Sequence, residues 1–175
     1  GEYQIGSTPD DHSFGGPQYR GFMTQGIFSP KTYYYRRVFI DAIRCVQAAI
    51  TLPFVDTTKI AVLGGSQGGG ISLAVCGLSP VSIKCAVINF PFLCHFPVAV
   101  SVSRMFPYEE IARFCGVHDN RIEEIFDTLS YFDGVHFAQY AKSKALFSVG
   151  LRDHVCPPIT VYAAYNTYAG PKEII

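Results

Sequence analysis

The stretch Val62–Ala74, VLGGSQGGGISLA, sets a serine between glycines where one apolar run ends and another begins. On its left, KIAVLGG (Lys59–Gly65) is a short continuous apolar run bounded by turn residues, the pattern of a strand buried on both faces. On its right, Gln67–Leu78 reads as a helix, and KCAVIN (Lys84–Asn89) reads as a second buried strand. Strand, helix and strand fit within about 30 residues, the size of a right-handed βαβ crossover. The serine therefore falls at a strand-to-helix turn, in the order Gly64-Gly65-Ser66-Gln67-Gly68, a G-x-S-x-G pattern.

A turn of that kind holds its serine in a strained backbone conformation and brings neighbouring segments too close for a Cβ. Glycines two before and two after the serine are expected to relieve the crowding. Ser66 Oγ then stands clear at the C-terminal edge of the sheet as a nucleophile. The Gln67 N–H, at the head of the helix, is placed to receive an oxyanion. A glycine-rich strand–helix turn has a plainer use, close packing or phosphate binding, but this stretch lacks the Lys-Ser/Thr ending of a P-loop.

A serine hydroxyl is a weak nucleophile without a base, and the base needs an acid to orient it. For this kind of turn the chain order is serine, acid, histidine. ALFSVG (Ala145–Gly150) is another buried-strand pattern, and Asp153 in SVGLRDHVCPP lies three residues past its end. In isolation Asp153 reads as a solvated loop residue or a helix cap; at a strand's C-terminal edge downstream of the serine turn it becomes the favoured acid. Asp133, in YFDGV, is the next candidate, expected rather to cap a helix. The histidines are His12, His95, His118, His136 and His154, and only His154 follows Asp153. Adjacent side chains at a strand exit diverge, so His154 is poorly placed to bridge Asp153 and Ser66. His12 sits in a leading loop, and His118 and His136 read as surface or packing residues. The catalytic histidine is therefore expected beyond Ile175, not in this chain.

Working outward, residues 1–32 are rich in glycine and proline with little periodicity, and read as a long surface loop. From Tyr33 to Thr51, Phe39, Ala42, Ile43, Val46, Ala49 and Ile50 recur at helical spacing, and Pro53 limits the helix. Between about 91 and 140, proline and aromatics interleave with short amphipathic stretches such as YEEIARFC and RIEEIFDTL, predicting an excursion of small helices. Pro157 and Pro158 open a last helix, ITVYAAYNTYA, at the turn where proline is tolerated. The whole reads as one partial α/β domain over residues 1–175.

The bulk numbers bound the partners. The chain has 175 residues, 49% hydrophobic, enough for a sizeable core. Lys+Arg and Asp+Glu number 14 each, for zero net charge, which argues against nucleic acid or an anionic membrane surface, since both need a basic field. Tyrosine and phenylalanine are abundant, as suits a core or a carbohydrate-facing cleft alike. The six cysteines show no CxxC and no metal-ligand spacing, and read as buried free thiols of a reducing compartment. No signal peptide or membrane-length apolar run is visible.

The blocks GGSQGGG, FPFLCHF, TLSYFDGV, ALFSVGLRDHVCPP and VYAAYNTYAGPKEI, with GIFSPKTYYYRRVFIDAIR upstream, resemble the acetyl xylan esterase and cephalosporin-C deacetylase group, carbohydrate esterase family seven. Their order and spacing cover nearly the whole chain. The resemblance implies an α/β-hydrolase fold and a serine esterase without metal or other cofactor. It implies removal of acetyl from small acetylated sugars by a cytoplasmic hexamer. It maps the nucleophile onto Ser66, an oxyanion amide onto Gln67, the triad aspartate onto Asp153 and an acyl-pocket position onto Pro107. The family's Arg-Gly-Gln segment with the upstream oxyanion tyrosine would precede Gly1, and its His-Glu segment would follow Ile175. The chain is thus expected to be the middle of a longer enzyme, incomplete at both ends, inactive and poorly soluble alone. A dienelactone-hydrolase-like or peptidase-like hydrolase, or an inert remnant, are the competing readings.

Overall fold

The computed structural model describes residues 21–175. Strands β1 (Ala61–Gly65), β2 (Cys85–Asn89), β3 (Lys144–Ser148) and β4 (Lys172–Ile174) form one parallel sheet in the order β1-β2-β3-β4. Around it run α1 (Tyr34–Ala49), α2 (Gln67–Leu78), α3 (Phe96–Val102), α4 (Tyr108–Val117), α5 (Ile122–Ser130), α6 (Gly134–Ala138) and α7 (Pro158–Thr167). Helices α3 to α6 fill the long connection between β2 and β3. No helix among the described residues is long and apolar enough to cross a membrane.

The sheet is closed on one face. Ala86, Ile88, Ala145 and Phe147 alternate inward and pack with Leu73 of α2, Ala138 of α6 and Ala164 of α7. Burying a side chain the size of Ile88 or Phe147 stabilises the fold by roughly 1.5–3 kcal/mol. The register puts Leu63, Val87 and Leu146 in one row on the opposite face, and Leu63 is 76% exposed. Among the described residues one face is covered and β1 is an edge, and none of them covers Leu63 on the other face. An unbroken apolar run reports the chemistry of a strand's two faces; it does not report what lies over them.

A second core is largely aromatic. Tyr33, Tyr35, Phe39, Phe92, Tyr108 and Phe132 are buried between α1, α4, α5 and the turns that precede α1. The buried hydroxyls are satisfied: Tyr33 Oη donates to Met23 O at 3.0 Å, and Tyr108 Oη accepts from Cys94 N at 3.3 Å. These tyrosines and phenylalanines answer to packing. Residues 21–32 are turns, as their composition predicts, yet they are not a surface loop: Met23 and Ile27 are fully buried and Phe22 nearly so. Their backbone groups find partners in turn bonds such as Ile27 N to Thr24 O, and in the Glu110 carboxylate, which accepts Gly21 N (3.0 Å) and Thr24 N (3.1 Å). The rest of the predicted loop, with His12, lies outside the described residues.

All six cysteines are unpaired, but they are not all buried: Cys94, Cys115 and Cys156 are, whereas Cys45 and Cys85 are exposed. Cys85 shares the open face of the sheet with Leu63.

Candidate active site

Ser66 joins β1 to α2 with φ 52° and ψ −117°, a left-handed φ that costs a side-chain-bearing residue and persists only where the surroundings enforce it. The enforcement comes from the exit of β2. Ser66 N donates to Asn89 O at 3.0 Å, and Ser66 O accepts Phe92 N at 2.9 Å and Gly69 N at 2.9 Å. A Cβ on Gly64 would fall on Gly68 O, and one on Gly69 would come to 2.9 Å from Pro91 Cα. Gly68 itself faces open space: a Cβ there would meet nothing within 4 Å. The glycine two after the serine is thus not relieving a clash of its own: it supplies the carbonyl that Gly64 must clear.

Gln67 is the first residue of α2, where backbone amides point out of the helix end. Its side-chain Nε2 donates to Tyr35 Oη at 3.0 Å, which ties the helix start to the aromatic core.

Asp153 sits in the turn after β3, with its N–H donating to Gly150 O at 3.0 Å. Carboxylate Oδ1 accepts Val155 N at 2.8 Å and Cys156 N at 2.9 Å. Oδ2 accepts no hydrogen bond among the described residues. One oxygen thus orients the carboxylate, and the other is left for a base. Ser103 Oγ donates to His154 O at 2.8 Å, fastening the same turn to the end of α3.

Cys156, three residues past Asp153, places its Sγ 3.7 Å from Ser66 Oγ. Burial pushes this thiol up to about 12; the Ser66 contact pulls it down and the Asp153 charge adds to the rise. In the sequence Cys156 is one of six thiols, with nothing local to mark a contact with Ser66 beyond its place between Asp153 and the proline pair that opens α7.

No histidine among the described residues hydrogen-bonds Ser66 or Asp153. His154 is exposed, His136 bonds Ser130 O through Nδ1 (2.8 Å), and His118 packs against the rings of Phe114 and Phe28. His95 immediately precedes α3, makes no side-chain bond to its first turn and, with His136, Phe126 and Asp133, lines a cavity of about 200 Å³ whose walls include neither Ser66 nor Asp153. Asp133 is a cap, as its sequence context predicts: it accepts Val135 N at the start of α6, and also His95 N and Phe96 N at the start of α3. Pro107, half-buried, immediately precedes α4, and no hydrogen bond among the described residues joins it to Ser66.

A serine on a strained strand–helix turn, an amide-bearing helix start beside it and an aspartate in the turn after a later parallel strand define an α/β-hydrolase fold. The acetyl xylan esterase (AXE1) family model matches residues 2–175, and the chain belongs to that family. Acetyl esterase Axe7A of Xylanibacter ruminicola is 33% identical over 158 residues, covering 87% of this chain and 34% of the relative. The acetyl xylan esterase from Paenibacillus sp. R4 superposes with a TM-score of 0.92 at 43% identity, over 99% of this chain and 55% of that one. Acetyl xylan esterase 1 from Thermoanaerobacterium sp. JW/SL YS485 gives a TM-score of 0.87 at 32% identity, over 97% and 55%. The chain thus spans about half the length of these two structures and a third of the Xylanibacter relative.

Proposed function

We propose that the full-length protein is a serine esterase that removes acetyl groups from acetylated xylo-oligosaccharides and related small acetyl esters, those of the cephalosporin C type included. The observation that carries this reading is the strained Ser66 turn, linked through Cys156 to a carboxylate with one oxygen unspent. Ser66 Oγ attacks the acetyl carbonyl, and the Gln67 N–H steadies the tetrahedral oxyanion. A histidine beyond Ile175 takes the serine proton and returns it to the departing sugar hydroxyl, while Asp153 Oδ2 orients that histidine. Water then releases acetate from the acyl-serine by the same route. This chemistry calls on side chains and backbone amides alone. Pro107 shapes the acyl pocket. The family resemblance supports a cytoplasmic hexamer that binds small acetylated sugars, and the neutral charge supports neither nucleic acid nor an anionic membrane as a partner.

The test is acetate release from acetylated xylo-oligosaccharide by the full-length protein and its Ser66→Ala variant. Loss of a triad nucleophile costs on the order of 10⁴-fold or more in kcat. A variant that kept more than about a tenth of the rate would end the assignment.

A further inference from the structure

We propose that Cys156 is a positioning residue of this site, its thiol holding Ser66 Oγ and its backbone amide holding Asp153, so that nucleophile and acid are set against each other through one residue. The role rests on the serine-nucleophile reading above.

A hydroxyl has one proton and two lone pairs. For attack, the proton must go to the base and one lone pair to the acetyl carbon. A neighbour that accepts the serine proton would compete with the base, whereas a neighbour that donates occupies the spare lone pair and leaves the proton to the base. A thiolate can only accept; a thiol can donate. Cys156 is 1% exposed beside the Asp153 carboxylate, and both conditions keep it protonated. Across the 3.7 Å contact either Sγ or Oγ can donate; with the S–H as the donor, this weak bond fixes the oxygen without drawing much electron density from it. At the other end, the Cys156 N–H takes Asp153 Oδ1 together with Val155 N–H, which turns Oδ2 outward for the base. Cys156 is itself anchored: its side chain belongs to the aromatic core, and Pro157 and Pro158 follow with restricted φ into α7. Ser66 and Cys156, 90 positions apart in sequence, thereby meet in a side-chain contact at the nucleophile.

The experiment compares Cys156→Ala and Cys156→Ser in the full-length protein. Both substitutions remove similar volume from a buried position, so both cost similar packing, but only serine keeps an O–H donor. Three quantities are read: the second-order rate of Ser66 labelling by a fluorophosphonate, kcat and KM for acetate release, and Tm. Cys156→Ala is expected to slow labelling and kcat about three- to tenfold, the scale of one hydrogen bond, with KM changed by less than about twofold. Cys156→Ser should recover most of both rates at a Tm as low as that of the alanine variant. Equal losses in the two variants, or wild-type labelling in Cys156→Ala, would reduce the residue to packing and overturn the role. Labelling of wild type without acetate release would sink the substrate assignment alone, because the labelling comparison still decides on Cys156. Failure of wild type to label would remove the nucleophile and this role with it.

Discussion

Gly64 and Gly68 face each other across the serine turn, so that a Cβ on Gly64 would land on Gly68 O whereas a Cβ on Gly68 meets nothing within 4 Å. Two glycines of one motif therefore do different work. Gly64 must lack a side chain for β1 to pass the first turn of α2; Gly68 need not, as far as space is concerned.

That asymmetry predicts a clean split between variants. Gly64→Ala must displace the first turn of α2 and with it Ser66, so activity should fall at least 100-fold, the scale of a roughly 1 Å misplacement at a reacting centre. Gly68→Ala should leave thermal stability within about 1 kcal/mol of wild type, the difference in helix propensity between the residues. Comparable melting losses in both variants would show that the crowding is shared.

Two aspartates give a second contrast. Asp153 spends one oxygen on two backbone amides, while Asp133 spends both, on His95 N, Phe96 N and Val135 N. Asp153→Asn keeps an acceptor for its own turn but offers the base the wrong group, so kcat should drop on the order of 10⁴-fold with Tm nearly unchanged. Asp133→Asn turns an NH₂ toward an N–H donor and should cost about 1–3 kcal/mol, several degrees in Tm, with a much smaller effect on kcat. A stable Asp133→Asn enzyme that had lost its activity would exchange the two assignments.

The serine turn was legible because everything it requires is contiguous. Glycine spacing, the strand before and the helix after all fall within Lys59–Leu78, and α2 begins and ends at Gln67 and Leu78 as its composition predicts. Asp153 was legible by its position after β3. Cys156 was not, because its contact with Ser66 depends on how β1 and the β3 turn come together, which no local pattern encodes. The burial of Met23 and Ile27 is not legible because a turn-rich segment has no periodic face to mark its inner side. Strand β4, three residues long, is too short to show alternation. Cover over Leu63 and Val87 is likewise a property of partners, not of the strand.

Glu110 predicts how the turns before α1 are held. Its carboxylate accepts Gly21 N, Thr24 N and Thr24 Oγ1 (3.0, 3.1 and 3.1 Å), and those turns bury Phe22 and Met23. Glu110→Gln replaces one acceptor oxygen with a donor against N–H groups, at a cost of about 1–3 kcal/mol. Backbone hydrogen exchange should accelerate at Gly21 and Thr24 while amides of α2 keep their protection. Uniform protection throughout would mean that apolar burial alone secures the segment.

The last prediction concerns alkaline pH. The Cys156 thiol is pushed from its ordinary 9.0 up to about 12 in the fold, chiefly by burial. Between those values the unfolded chain gives up a proton that the folded protein keeps. The unfolded state then binds fewer protons, and stability falls as pH rises. The contribution is intact below about pH 8 and amounts to a loss of about 1.4 kcal/mol by pH 10, from the shift of one thiol. Other buried thiols and tyrosines titrate in the same direction, so the measurement is a difference: Tm of the wild type against Cys156→Ser from pH 8 to 10.5. The two curves should start with a constant offset and converge above pH 9 by a few degrees per pH unit, because a serine hydroxyl does not titrate there. Curves that stay parallel through pH 10.5 would mean that the thiol ionises near its ordinary value in the folded protein. A thiol that did so would be partly thiolate in mildly alkaline solution, and could only accept the Ser66 proton.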